Sequence, residues 1–389
     1  MTDRDLTSCI IKYIDPTITA AQCNNVLFYI KNKLHNENKK EINTDVVNFR
    51  NALFDLETQI VVEHTSKIFT VNQLSVDYLS NLEFNEEVEN YLDELTSHNN
   101  VRKKALLQLI GYMLTARNDI QVMIIFFGPS SSNGKSTLLK IIERIVGSEN
   151  VCHKSIEKLD TQFGADGMEF KLLNICTEIP KNKIKNIEIL KQSITGDTFE
   201  ATVKYEKNKT IKSYIKHIFA SNYLPNVSDD SEAYFRRIHI ILFENKFDAS
   251  KSKFNVDKFC SQENLDYLAN IAFREYLEMI NTGIKKFANY EESDSILLEY
   301  RKKSDSIAAF LTDKFYKEGI YNQNVPTKLM FEYYISFCNR SNMKPIGKIK
   351  FFKELLEKYV FIKKTIDGKE YFFRKEPIII EFDEKSDII

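Results

Sequence analysis

The segment Gly128-Pro-Ser-Ser-Ser-Asn-Gly-Lys-Ser-Thr137 lies between two stretches of very different character. It follows the apolar run Val122-Met-Ile-Ile-Phe-Phe127, and it precedes a helical pattern of apolar residues that ends at Gly147. The pattern therefore predicts a buried strand, a loop of small residues and the N-terminus of a helix. This is the context of a phosphate-binding loop, where backbone N–H groups and the helix dipole bind phosphate oxygens.

Each residue type in this loop suits nucleotide binding. Lys135 is expected to reach the β- and γ-phosphates of ATP, and the Ser136 hydroxyl is expected to join the ligands of Mg²⁺. The predicted nucleotide-binding residues are Gly128, Pro129, Ser130, Ser131, Ser132, Asn133, Gly134, Lys135, Ser136 and Thr137.

The spacing departs from the usual Gly-x4-Gly-Lys-Ser/Thr pattern in one respect. Pro129 occupies the position of the first glycine, and Gly128 lies one residue earlier. Either the loop carries one extra residue, or its first turn differs. A serine-rich turn without a ligand is the alternative, but Asn133-Gly-Lys-Ser-Thr137 stands between the strand and helix that a phosphate-binding loop requires.

Composition limits the class of protein. The 389 residues suffice for two or three domains, and 43% hydrophobic with 28% charged residues is typical of a soluble globular protein. With a formal net charge of -1, any nucleic-acid contact requires a local concentration of positive charge. The six cysteines form no CxxC pair, which argues against a zinc site. Scattered cysteines and the absence of a signal-peptide pattern favour the cytoplasm.

Strands and helices alternate from the loop onward, which predicts an α/β fold. Three further apolar runs resemble buried strands, at residues 170–179, 214–220 and 238–243. A parallel sheet covered by helices on both faces accounts for this pattern. Because ligands bind at the carboxyl ends of such strands, we expect all candidate site residues at that edge.

We predict three domains. Residues 1–84 form a small α+β domain, residues 85–288 form the phosphate-loop core, and residues 289–389 form a helical C-terminal domain. In the last, three helices are predicted near 291–315, at Thr327–Arg340 with Thr327 as the cap, and at Lys348–Tyr359. A hairpin over 360–375, turning at Asp367-Gly368, follows them and suggests a winged helix.

The later strands bring further candidates for catalysis. Glu178 ends an apolar strand, where it is predicted to polarise the attacking water, with Thr177 as a weaker metal ligand. Asn222 ends the next strand and is predicted to contact the γ-phosphate. Arg236 and Arg237 precede another strand, and one of them is predicted to stabilise the transferring phosphoryl group in a neighbouring subunit's site. Alternatively, Glu178 is an exposed acid and the arginines are a surface pair.

A lysine-rich hairpin is predicted between Glu200 and Lys212, inside the same core. Cations beside an aromatic ring suit the backbone and the stacked bases of single-stranded DNA. The predicted DNA contacts are Lys204, Tyr205, Lys207 and Lys209. A solvated lysine-rich turn is the simpler alternative.

These motifs, in this order, resemble the superfamily 3 helicases, and most closely the helicase portion of phage, plasmid and poxvirus primase–helicases. The resemblance covers most of the chain. It rests on residues 51–58, 70–78, 107–114, 171–178, 195–197, 220–225, 233–237 and 305–310. The chain departs from the family pattern at Ala52, where the family often has glycine, at Pro129, and at Thr177, where a second carboxylate is usual.

The resemblance implies an AAA+ core that assembles into a ring, usually a hexamer, and hydrolyses ATP between subunits. Single-stranded DNA would pass through the central channel, where the hairpins contact it. Because too little chain precedes residue 85 for a primase domain, we expect any primase or polymerase on a separate chain, or in an N-terminal part that this sequence does not include. The cellular site would be a bacterial host's cytoplasm, or a viral replication site in a eukaryote.

The C-terminal lysines suggest a further contact with an origin or a fork. These residues are Lys348, Lys350, Lys353, Lys363, Lys364 and Lys369. A winged helix can equally bind another protein.

Two other functions remain open at this stage. An initiator that binds origin DNA and recruits a host helicase would use ATP as a switch. A small-molecule P-loop kinase would need an acceptor pocket, and its use of ATP would be independent of DNA.

Overall fold

The computed structural model describes most of the 389 residues. The described residues are 3–13, 17–36, 42–130, 132–159, 161–179, 187–202, 208–224, 232–247, 255–313, 325–341, 343, 345–357, 359, 361–366 and 368–374. Their helices are α1 (Asp3–Tyr13), α2 (Ala20–Asn36), α3 (Glu86–Leu95), α4 (Asn100–Met113), α5 (Lys135–Val146), α6 (Ile156–Leu159), α7 (Glu188–Thr195), α8 (Glu232–Phe235), α9 (Val256–Phe259), α10 (Gln262–Asn281), α11 (Tyr290–Ser304), α12 (Ser306–Thr312), α13 (Thr327–Arg340) and α14 (Lys348–Glu357).

The strands of the described residues belong to four sheets. They are β1 (Val46–Asn48), β2 (Leu53–Asp55), β3 (Val61–Val62), β4 (Met123–Phe127), β5 (Val151–Cys152), β6 (Leu173–Cys176), β7 (Thr198–Ala201), β8 (Lys209–Lys212), β9 (Lys216–Ser221), β10 (Ile238–Leu242), β11 (Val325–Pro326), β12 (Phe361–Ile366) and β13 (Lys369–Arg374). In the same residues, no helix is both long and apolar enough to cross a membrane.

The central sheet has five strands in the order β10-β4-β9-β6-β5, and every neighbouring pair is parallel. The strand before the phosphate-binding loop, β4, therefore lies between β10 and β9. Ile125 of β4 pairs with Ile240 on one side and with Phe219 on the other. The predicted α/β fold with a parallel sheet is confirmed.

Alternate residues of β4 enter separate hydrophobic cores on the two faces of the sheet. Ile124 and Phe126 pack into the core that contains α4, α5 and α10. Met123 and Ile125 pack into the core that contains α6 and α7. A strand that is buried on both faces needs an unbroken apolar run, which is why residues 122–127 show no polar alternation.

The small N-terminal sheet, β1-β2-β3, packs on the same core as α10. The rings of Phe49 and Phe54 contact Phe273 of α10, with centroid distances of 5.3 and 4.9 Å. Side chains from residues 46–78 thus share a hydrophobic core with the parallel-sheet domain. The predicted division at residue 84 stays a prediction.

Two details of the C-terminal part differ from the prediction. The single helix predicted over 291–315 is broken at Asp305, whose carboxylate accepts hydrogen bonds from the N–H groups of Ile307 and Ala308 and so begins α12. Thr327 is the first helical residue of α13, and Pro326, not Thr327, is the N-cap. Proline is tolerated there because it fixes φ and the lost N–H has no helical partner.

The C-terminal helices α12, α13 and α14 share a core of Phe310, Tyr334 and Phe351. The predicted hairpin consists of β12 and β13, and Gly368 in its turn has a φ of 74°. The short strand β11, which the sequence did not suggest, pairs with β13. The winged-helix assignment stays a prediction.

Two buried histidines make the fold sensitive to acid. In β9, His217 accepts a hydrogen bond from the Asn174 amide at 3.1 Å and donates to the Ser193 hydroxyl at 2.8 Å, so the ring is neutral. Burial lowers the pKa of His217 to about 3 and that of His239 to about 4.

We therefore expect the free energy of unfolding to fall as the pH falls below about 6.5, where the unfolded chain's histidines gain protons that the folded chain excludes. The expected loss is about 2–3 kcal/mol for each histidine by pH 4.5. Urea unfolding at a series of pH values measures it. A free energy of unfolding that stays constant from pH 7 to pH 4.5 would contradict this prediction.

Candidate functional site

The loop between β4 and α5 lies at the carboxyl edge of the central sheet. Two of its described residues have a positive φ, Ser132 at 58° and Gly134 at 84°. Lys135 is the first residue of α5, so the loop leads directly to a helix N-terminus. Ser131 lies outside the described residues.

Gly128 is in a place where no side chain fits. A Cβ atom built there would lie 2.0 Å from the Asn133 amide nitrogen and 2.6 Å from the Phe243 carbonyl oxygen. The close approach that requires glycine thus occurs one residue before Pro129. This agrees with a loop that is one residue longer than the usual spacing.

The segment after β10 supports the loop through two hydrogen bonds. The Phe247 N–H donates to the Ser132 carbonyl at 2.8 Å. The buried Asn133 side chain donates to the Ser130 carbonyl at 2.9 Å and to the Phe243 carbonyl at 3.4 Å. The loop conformation therefore depends on a segment that lies more than a hundred residues away in the sequence.

Lys135 is buried, with 6% of its surface exposed. Its amino group donates to the Asn222 side-chain oxygen at 2.8 Å and to the Gly128 carbonyl at 3.2 Å. Burial lowers the pKa of Lys135 to about 8, so the amine is still mostly protonated at neutral pH. The predicted phosphate-binding lysine and the predicted γ-phosphate sensor are thus in direct contact.

Thr177 and Glu178 follow the last paired residue of β6 and are exposed. With Ser132, Asn133, Lys135, Ser136 and Asn222 they line a cavity of about 380 Å³. The cavity therefore brings together the candidate lysine, hydroxyls, acid and amide from the ends of β4, β6 and β9. Ile179, Ala220, Ser221 and Tyr223 complete its lining.

The oxygens at this cavity suit a nucleotide-bound Mg²⁺ ion. Hydroxyls of Ser136 and Thr177 and the Glu178 carboxylate all line it. No group of three or more histidine, cysteine, aspartate or glutamate residues able to hold a metal occurs in the part of the chain that the structure describes. A magnesium ion bound here would take most of its ligands from phosphates and water, as is usual for Mg²⁺.

The arginines lie at the opposite edge of the sheet, so the expectation that all candidates share the carboxyl edge was wrong for Arg236 and Arg237. Arg237 precedes β10, and its carbonyl accepts a hydrogen bond from the N–H of Met123, at the amino end of β4. The five residues of β4 separate this point from the phosphate-binding loop by about 13–17 Å. Residues that come directly before a strand of a parallel sheet lie at the amino edge of that sheet. The sequence already indicated this position, because both arginines come directly before the predicted strand at 238–243.

The predicted hairpin is present as the antiparallel pair β7 and β8, where Ala201 pairs with Lys209. It leads into the first residue of β9 and therefore lies towards the amino edge as well. Lys209 is exposed, whereas Lys204, Tyr205 and Lys207 lie outside the described residues.

Three residues that contribute to the site were missed in the sequence. Phe243 and Phe247 gave no signal, because they bond to the loop through their own backbone groups, from more than a hundred residues away in the sequence. Tyr223 directly follows the candidate Asn222, and this neighbouring position was the one feature of the sequence that pointed to it.

We expect Gly128→Ala to disturb the loop, because the new methyl group would overlap the Phe243 carbonyl, which is backbone. Overpacking of this kind costs about 1–3 kcal/mol. Nucleotide affinity should fall about tenfold, measured with a fluorescent ATP analogue, and the melting temperature should fall with it. Gly347→Ala is the matched control, since a Cβ there meets nothing within 4 Å. Equal affinities in the two variants would contradict the prediction.

The strand order, the loop and the helix that follows it define the class of P-loop nucleotide-binding folds. Two known protein families match separate parts of the chain. Residues 126–237 match DUF5906, described as a family of unknown function, and residues 302–384 match the family described as Poxvirus D5 protein-like. The resemblance seen in the sequence is confirmed: the C-terminal part of the chain is similar to poxvirus D5-like proteins, and most of the chain is similar to viral proteins named as putative helicases.

Relatives in two viruses carry helicase names. The chain is 23% identical over 356 residues to "Putative helicase 121R" of Invertebrate iridescent virus 3, covering 81% of this chain. It is 24% identical over 297 residues to "Putative helicase L207/L206" of Acanthamoeba polyphaga mimivirus, covering 70% of this chain. It spans only 37% and 30% of the lengths of these two relatives.

One solved structure has the same general fold. The A form apo structure of the NrS-1 C terminal region superposes with a TM-score of 0.50, and it covers 91% of this chain and 90% of that one. At 17% sequence identity, the similarity concerns the fold alone.

Proposed function

We propose that the chain is an ATP-dependent DNA helicase motor that assembles into a ring and serves the replication of a virus or another mobile element. The observation that carries this proposal is the cavity of about 380 Å³ where Lys135, Glu178 and Asn222 meet. Three strand ends supply a cation for phosphates, an acid for water and an amide for the γ-phosphate.

Hydrolysis would proceed by attack of a water molecule on the γ-phosphorus. Glu178 accepts the proton of that water, the bond from the γ-phosphorus to the β–γ bridging oxygen breaks, and ADP and phosphate leave. Lys135 stabilises the negative charge on the phosphate oxygens, and Asn222 orients the γ-phosphate. Mg²⁺, bound near Ser136, would neutralise further charge on the phosphates.

The position of the arginines favours a shared site. Because Arg236 and Arg237 lie at the amino edge, they are too far from their own subunit's cavity to touch its nucleotide. If a neighbouring subunit docked its amino edge against this cavity, it would supply one of its arginines to the nucleotide bound there. Such a site would be complete only between subunits, which supports a ring, hexameric by analogy with the family.

The hairpin supports a contact with single-stranded DNA. Phe199, Ala201 and Ile211 of its strands pack into the core on one face of the central sheet, and the lysines of this segment of the sequence provide positive charge in a chain whose net charge is -1. The C-terminal lysines support DNA binding less strongly. Ion pairs join Lys350 to Glu354, Lys353 to Glu357 and Lys363 to Glu370, so at least three of the six lysines have a carboxylate nearby.

Strand displacement from a forked DNA duplex, with ATP and Mg²⁺, tests the proposal. Unwinding by the wild-type chain and none by Lys135→Ala is the expected result. ATP hydrolysis that DNA stimulates, without unwinding, would favour an origin-binding initiator or a missing partner such as a primase. Hydrolysis that ignores DNA would favour the kinase alternative and contradict the helicase.

A further inference from the structure

Glu178 lies just beyond the part of β6 that pairs with a neighbouring strand. The ladder between β6 and β9 ends at Cys176, which pairs with Phe219. Thr177 and Glu178 come after that pair and are exposed, while Ile179 is buried in the core on one face of the sheet. A residue that must direct a water molecule needs a fixed position, so other contacts have to supply it.

Two side chains hold the backbone at this acid and at the residue that follows it. The Cys176 thiol donates to the Glu178 carbonyl at 3.0 Å. The Tyr223 hydroxyl donates to the Ile179 carbonyl. The tyrosine follows β9 and Ile179 follows β6, so this hydrogen bond joins the ends of two neighbouring strands. Both residues line the cavity.

The residue before this tyrosine contacts the phosphate-binding lysine. Asn222 accepts a hydrogen bond from Lys135, while Tyr223 binds the Ile179 carbonyl. Two consecutive residues therefore connect the end of β9 to both halves of the predicted catalytic apparatus. A γ-phosphate that draws Asn222 towards itself would act on the backbone that positions the acid.

We propose that Tyr223 is a positioning residue that places Glu178 to accept a proton from the attacking water, and that Asn222-Tyr223 links recognition of the γ-phosphate to the position of the acid. This inference rests on the proposed ATPase function. It assigns Tyr223 no chemical step, because its hydroxyl acts through the Ile179 carbonyl and the backbone beside Glu178.

Tyr223→Phe tests this role, because it removes one oxygen atom and leaves the ring in place. The rate constant of ATP hydrolysis in a single turnover should fall about tenfold, while the dissociation constant of a fluorescent ATP analogue stays within about twofold. Tyr290→Phe is the matched control, since this exposed tyrosine donates to Glu291 and is not among the residues that line the cavity. Equal melting temperatures would show that both variants fold.

A double-mutant comparison separates positioning from a general structural effect. If Tyr223 acts through the acid, Tyr223→Phe should have no further effect in a Glu178→Gln background. An unchanged rate in Tyr223→Phe, or the same tenfold loss in the Glu178→Gln background, would overturn the inference and leave the ATPase function intact. A wild-type chain that hydrolyses no ATP, with or without DNA, would overturn both.

Discussion

Replacing Lys135 with alanine is expected to lower ATP hydrolysis by about a thousandfold or more while the fold stays intact. The amine is the only charged group among the described contacts of Asn222, and it is buried at the base of the cavity. Its charge offsets the charge that accumulates on the phosphate oxygens in the transition state, and among the described residues that line the cavity no other side chain is cationic. Removing the amine also removes the free-energy cost of burying its charge, which is the cost that lowers the pKa of Lys135 to about 8. We therefore expect little loss of stability.

Steady-state phosphate release measures this effect, and a melting curve reports the fold. Lys140→Ala is the control, because Lys140 lies in the same helix and is exposed. The control should retain the wild-type rate. Wild-type hydrolysis in Lys135→Ala would show that the cavity is not the nucleotide site.

Replacing Glu178 with glutamine is expected to lower hydrolysis by about 10²–10⁴-fold with little change in nucleotide affinity. Glutamine keeps the size of the side chain but cannot accept the proton of the attacking water. The residue is exposed at the cavity, so the substitution should cost little stability. Single-turnover hydrolysis, compared with the binding of a fluorescent ATP analogue, separates the two effects.

Glu157→Gln is the matched control, since Glu157 is an exposed acid in α6 outside the cavity. It should hydrolyse ATP at the wild-type rate. If Glu178→Gln instead weakened nucleotide binding in proportion to the lost rate, the acid would serve the metal ion or the phosphates and not the water.

Local patterns predicted the elements around the site because their causes are local. The run of apolar residues at 122–127 and the period of apolar residues after Lys135 each depend on neighbours within a few positions. The break at Asp305 was missed because an Asp side chain can cap a new helix without disturbing the apolar period on either side. The error at Arg236 and Arg237 had another origin, since strand direction was readable but was not applied to residues that precede a strand.

The sequence by itself determined that a strand, a small-residue loop and a helix follow one another, and it predicted that they bind phosphate with the lysine, acid and amide that follow. It did so because loop chemistry and hydrophobic period are encoded within short segments. Only the tertiary structure decided that β4 lies between β10 and β9 and that Asn222 meets Lys135. It alone placed the Tyr223 hydroxyl on the Ile179 carbonyl. These contacts depend on strand order and register, which arise from hydrogen bonds and packing between segments far apart in the chain.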